Sequence, residues 1–336
     1  MKKCACALLW ASIIVVVVVE AGAQNPVNHA FFWKSEAGMR DIGSLGGSSY
    51  AYAINNNGQV AGCYEFGSGS LHAFLWTESS GMLDLGTLGG SSSAASGINS
   101  QGQVVGWSVT SSGDAHAFLW TAATGMQDLG TLGGSSSDGA AINDQGEITG
   151  TSAKIRDAHV IAYRRTATQG MLALGSLGYG DSSGYAINAF GTVVGVSPLN
   201  TTLRPKRAFL RRKGFPITEL GTLGGDNSTA LGINQTEQIV GWSSLSRVSP
   251  IHAFLWTHDG GMQDLGTLGG RNSAAQAINL MGQIVGFSDM STPGVTHAVL
   301  WTGPNQIQDV GTLGGNNAIA KGINDLGQVV GWSSVP

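Results

Sequence analysis

The chain holds 336 residues, of which only 11% are charged, and its formal net charge is −4. That balance excludes general nucleic-acid binding, which needs a basic footprint. Two of its three cysteines fall within the first six residues, so a sizeable hydrophobic core, not disulfides, must hold it together.

Residues 1–23 read as a secretory signal. Lys2-Lys3 form a short basic start, Ala5 to Val19 is apolar, and Ala21-Gly22-Ala23 is a small-residue cleavage site that leaves Gln24 first. The apolar run falls short of the ~20 residues a spanning helix needs, and an uncleaved anchor is the alternative. The expected location is therefore extracellular or periplasmic, with no transmembrane segment after cleavage. Losing Lys2, Lys3 and Glu20 reduces 17 basic and 21 acidic residues to 15 and 20, a net charge of −5. Cys63 then stands alone, where sister units have Trp107, Trp242 and Trp332. It reads as a small buried hydrophobe, with a reactive or intermolecular thiol as the alternative.

From residue 29 onward one unit recurs seven times. G-[TS]-L-G-[GY] begins at Gly43, Gly86, Gly130, Gly175, Gly221, Gly266 and Gly311. Ile-Asn recurs at Asn55, Asn99, Asn143, Asn188, Asn234, Asn279 and Asn324, and a β-branched or small pair precedes Gly62, Gly106, Gly150, Gly195, Gly241, Gly286 and Gly331. Successive anchors lie 43 to 46 residues apart, a period typical of propellers and solenoids. Each unit holds four short strand-like runs; around residues 94–129 they are AASGI, QVVGWS, HAFLW and MQDLG. No stretch keeps a helical period. The first run carries small residues (Ala94-Ala95, Ala140-Ala141, Ala274-Ala275), as crowding near an axis demands; the third carries Phe118 and Trp120, which fill a widening gap. Asn-x-x-Gly turns join the first two runs. In the fifth unit Glu237 replaces that Gly and is expected at positive φ, at a cost of ~1–2 kcal/mol.

The chain enters on a third run (His29 to Trp33) and leaves on a second (Gln328 to Trp332). These features predict an all-β, seven-bladed propeller of four antiparallel strands per blade, a single domain over residues 24–336. Its last blade would join two C-terminal strands to two N-terminal ones, leaving no open sheet edge. A β-solenoid is second, because it needs capping ends that are not evident.

The strings H-A-F-L-W-T, D-L-G-T-L-G-G and G-I-N-x-x-G-Q-V-V-G-W-S resemble the HAF-repeat family of extracellular bacterial proteins. The likeness covers about residues 29–334. It implies an exported β-repeat protein and no particular activity. Two units depart from the pattern: IAYRRT (Ile161 to Thr166) and RAFLRR (Arg207 to Arg212) lose both His and Trp.

Little in the chain points to catalysis. Gly180-Asp181-Ser182-Ser183-Gly184 matches G-x-S-x-G, but no helix follows to build a nucleophile elbow. The repeated His (His29, His72, His116, His252, His297) and Asp (Asp41, Asp84, Asp128, Asp264, Asp309) are expected to pair within each blade. If Trp120 opposes Met126, then Phe118 opposes Asp128, and His116 becomes the diagonal neighbour of Asp128. No metal or other cofactor is expected.

Ten of the fifteen mature basic residues cluster, among them Arg164, Arg165, Arg204, Lys206, Arg207, Arg211 and Arg212. They form either a solvated rim or a patch for acidic glycans, lipid headgroups or an acidic partner. The connections between second and third strands vary most and lie on one face, where binding is expected. The leading reading is a secreted, non-enzymatic binding or structural module with a glycan or protein partner. The alternative is an exported carbohydrate-active hydrolase or lyase at a channel mouth, with Asp138, Asp181 and Asp226, each placed just before a first strand, as candidate acids.

Overall fold

The computed structural model describes residues 27–67, 69–155, 159–178, 180–199 and 205–336. The expected signal, Arg156 and Arg204 lie outside the described residues. All regular structure among the described residues is β: seven four-stranded antiparallel sheets, each in simple up-down order. We number them blades I to VII. Blade I runs Ser49–Ile54, Val60–Phe66, Ser70–Thr77 and Gly81–Asp84 from the axis outward. Blade VII takes Ala318–Ile323 and Val329–Ser334 from one end of the chain and Asn28–Lys34 and Gly38–Asp41 from the other. Asn28 faces Ser334 and Phe32 faces Val330 across that join. The expected closure is the observed one.

Each blade packs on the next through apolar faces. The Phe or Tyr of the third strand fills the gap: Phe31, Phe74, Phe118, Tyr163, Phe209 and Phe254 are fully buried. The small first strand sits innermost, against its neighbours in both adjacent blades.

The repeated Gly of the second strand has a steric cause. A Cβ on Gly106 would lie 1.9 Å from the carbonyl oxygen of Ala94, and one on Gly241 equally close to Thr229 O. The same clash, at 2.0 Å or less, meets the equivalent Gly of every blade. Opposite that glycine the first strand bulges, with one residue skipped in the register, as between Ala95 and Gly97.

The repeated Asn explains ring closure. Asn143 Oδ1 accepts from the amides of Gln145 and Glu147, which fixes its own turn. Its Nδ2 donates to the carbonyl of Asn188 in the next blade at 2.9 Å. Asn55, Asn99, Asn188, Asn234 and Asn279 donate onward in the same way. Asn324 completes the circuit to Asn55 O at 3.0 Å. Seven side-chain amides thus form a head-to-tail ring.

One local difference from the sequence reading has a physical reason. The Gly-Gly segments of blades II, III and VI are strand, not connection: first strands there begin at Gly89, Gly133 and Gly269. They pair with the ends of the second strands, Gly89 opposite Thr110, and a Cβ on Gly90 would stand 2.6 Å from Val109. Asn305 also adopts positive φ (57°), as Glu237 does (58°). Among the described residues no helix is long and apolar enough to cross a membrane.

Candidate functional site

The polar residues of the repeat are occupied by the scaffold. His29, His72, His116, His252 and His297 each bond through Nδ1 to an Asp twelve positions on, at 2.6 to 2.9 Å. The same carboxylates accept backbone amides such as Gly86 and Gly130. Phe118 opposes Asp128, as the expected register requires. In blade IV, Arg207 and Glu219 take the two positions and form an ion pair at 2.9 Å; in blade III they are Ile161 and Ala173. Among the described residues no cluster of His, Cys, Asp or Glu could hold a metal ion.

The basic sector does not form one open patch. Arg165 and Arg211 stand in the register of the sister tryptophans. Arg211 Nε donates to Leu174 O of blade III, and Arg164 to Gly191 O of blade IV. Arg212 forms an ion pair with Glu237 of blade V, and Lys213 with Glu147 of blade III at 2.9 Å. Arg207 bonds Glu219 and the Asp226 carbonyl. These cations bridge neighbouring blades, with carboxylates and carbonyls as their partners. Lys206 is exposed near the opposite end of its strand.

The three candidate acids are separated. Asp181 lies in the connection before its strand, where it accepts from Val160 N and pairs with His159. Asp226 lies in the equivalent connection of blade V, its backbone bonded to Arg247 and Arg207. Asp138 sits inside the first strand of blade III, not before it, opposite Thr151. Its Oδ1 accepts from Thr151 N at 3.1 Å, and burial pushes its carboxyl up to about 7. The sequence grouping failed because the three aspartates are not equivalent positions: Asp138 stands five residues before the Asn of its blade, Asp181 seven and Asp226 eight, and only the first of these spacings falls within the strand.

What the sequence did not reveal is the channel lining. The bulge turns one side chain of each blade into the axial lumen: Tyr52, Ser96, Ala140, Tyr185, Leu231, Gln276 and Lys321. With Asp138 they line a cavity of about 140 Å³. Each stands three residues before the Asn of Ile-Asn. The available signal was variation: the flanking positions repeat, while this one carries Tyr, Ser, Ala, Leu, Gln or Lys. Burial lowers the Lys321 amine to about 8. Cys63 is buried beside this wall, its thiol 3.9 Å from the Tyr52 hydroxyl, and burial pushes it up to about 12. That is the opposite of an activated thiol.

A second cavity, of about 370 Å³, opens where blades VII and I meet; Phe32, Trp76, Glu78 and Gln328 line it. Residues peculiar to this seam crowd there. Arg40 pairs with Glu78 at 3.0 Å and lies over the rings of Phe32 and Trp76. The cluster clasps the N-terminal strands to blade I.

No protein-family model matches the chain, and no curated protein does. Solved structures do. The β-propeller domain of the Trilobed protease from Pyrococcus furiosus, described as having an open velcro topology, is 9% identical over 82% of this chain and 88% of that one, with a TM-score of 0.57. A protein assigned as TolB from Agrobacterium tumefaciens is 10% identical over 93% of this chain and 100% of that one, with a TM-score of 0.53. TolB from Acinetobacter baumannii is 12% identical with a TM-score of 0.48, and this chain, over 70% of its own length, spans 62% of that protein. At such identities the first two likenesses establish the fold alone: the chain is similar to β-propellers.

Proposed function

We propose that this protein is an exported, non-enzymatic binding or structural module that engages a glycan or protein partner through one face of the disc. The export reading rests on residues 1–23, and the resemblance of the H-A-F-L-W-T and D-L-G-T-L-G-G strings to the HAF-repeat proteins supports it. One observation carries the binding reading. The connections between second and third strands range from residues 67–69 in blade I to 199–205 in blade IV, on an otherwise repetitive scaffold. They are rich in Ser, Gly, Asn and Thr, with isolated exposed apolar side chains at Ile155 and Val248. Adaptable polar loops with a few apolar anchors on a rigid frame suit recognition. Glycoside hydrolysis needs two cooperating carboxyl groups, and Asp138, Asp181 and Asp226 lie in separate environments.

A loop exchange tests this. Residues 245–250 are replaced by Ser-Ser-Gly-Asp, the connection of blade II, and both proteins are applied to a glycan array. Retention of wild type that the variant loses, at unchanged Tm, supports the reading. Turnover of a carbohydrate by wild type that disappears in Asp181→Asn overturns it.

A further inference from the structure

The axial cavity contains a charge that the fold does not need. Lys321 of blade VII brings an ammonium group into a ring position filled elsewhere by Tyr, Ser, Ala, Leu or Gln. Its Nζ donates to Gln276 Oε1 on blade VI at 3.1 Å. Among the described residues no carboxylate forms an ion pair with it. Lysine only donates, so the amide must present its oxygen to Nζ. That orientation leaves the two Nε2 hydrogens of Gln276, and the remaining protons of Nζ, for another acceptor. The carboxyl that lines the lumen, Asp138, lies three blades away around the ring and bonds Thr151. Burial raises it to about 7, so at neutral pH it is only partly charged. Tyr52 is held neutral, because burial raises its hydroxyl well above the usual tyrosine range. A cation partly withdrawn from water without a counter-charge beside it is stabilised when something negative joins it.

We infer that the axial cavity is a binding site for a small carboxylate, whose oxygens are shared between the Lys321 ammonium and the Gln276 amide. Two donor groups side by side on adjacent blades match the two oxygens of a carboxylate. A volume of about 140 Å³ has room for a ligand of a few heavy atoms. One cation balances one negative charge; a phosphate dianion would bring a second one towards Asp138. This site is separate from the loop face, and either can fail without the other.

The test titrates acetate into the purified protein at pH 7 and constant ionic strength, with inorganic phosphate and chloride as comparison anions. One acetate should bind per chain. Lys321→Gln, which places in blade VII the residue blade VI already carries, should lower the affinity at least tenfold while Tm holds or rises. Asp138→Asn should bind acetate more tightly than wild type at pH 8, where the native carboxyl is charged. Failure of acetate to bind wild type, equal binding to folded Lys321→Gln, or tighter binding of phosphate through Lys321 overturns the inference.

Discussion

The two faces of the disc are built by opposite rules. On one, the turn between first and second strands is five residues long in every blade, from 55–59 through 324–328. Each such turn is fixed by its own Asn and tied to the next blade. On the other, the connection between second and third strands differs in length and sequence from blade to blade. A turn that is a link in a closed ring cannot change without breaking two blade contacts. A loop outside that ring costs little to lengthen, because closure entropy grows only with the logarithm of length. The constant face therefore holds the fold, and the variable face is free for recognition.

The largest effect should come from the glycine that forces the bulge. Gly106→Ala puts a methyl group into the Ala94 carbonyl at 1.9 Å and is expected to cost at least ~4 kcal/mol, read by urea unfolding. A loss below ~1 kcal/mol would mean the bulge is not sterically fixed.

Asp138→Asn comes next. The native carboxyl titrates at about 7, against about 4 when unfolded. The folded protein thus keeps a proton that the unfolded chain releases, and stability falls as pH rises from about 4 through 7. The variant, whose amide oxygen can still accept from Thr151, should match wild type at pH 4 and exceed it by about 2–4 kcal/mol at pH 8. Equal differences at both pH values would remove Asp138 from a desolvated site.

Asn143→Ala removes the turn and inter-blade bonds together and should cost about 2–3 kcal/mol. Exchanging residues 245–250 for the shorter blade II loop should change stability by less than ~1 kcal/mol. The faces would not differ as argued if the loop exchange cost as much as Asn143→Ala. Glu237→Gly sharpens the contrast on the constant face. It relieves positive φ worth ~1–2 kcal/mol and loses a half-exposed ion pair to Arg212 worth ~0.2–1 kcal/mol. A modest rise in Tm is expected.

The constant face was largely readable in the sequence, because Gly and Asn there answer needs no other residue meets. Asn143 marks a turn, Gly146 its positive φ, and Glu237 an exception whose φ followed from the pattern. The His–Asp pairs could be read from strand register alone. The lumen could not, because a bulge shifts strand alternation by one residue and sends inward a side chain that a regular strand would place elsewhere. Lys321 and Tyr185 therefore looked like ordinary strand positions, and Asp138 looked like a loop residue. The arginines misled for a related reason. Arg164, Arg207, Arg211 and Arg212 resemble surface charge in sequence, yet the first three replace core or paired positions, the fourth replaces a Thr, and all reach carbonyls or carboxylates of adjoining blades.

Ring closure by the two chain ends is tested most directly by a crosslink across blade VII. Asn28→Cys and Ser334→Cys, in a Cys63→Ser background, place thiols on residues directly opposed in the join. Under mild oxidation an intramolecular disulfide should form in nearly every molecule and raise Tm, since it closes a loop of 307 residues with an expected gain of at least ~4 kcal/mol. Thiols that stay reduced, or that link only between molecules, would show that the ends do not meet and that the array is not a closed ring.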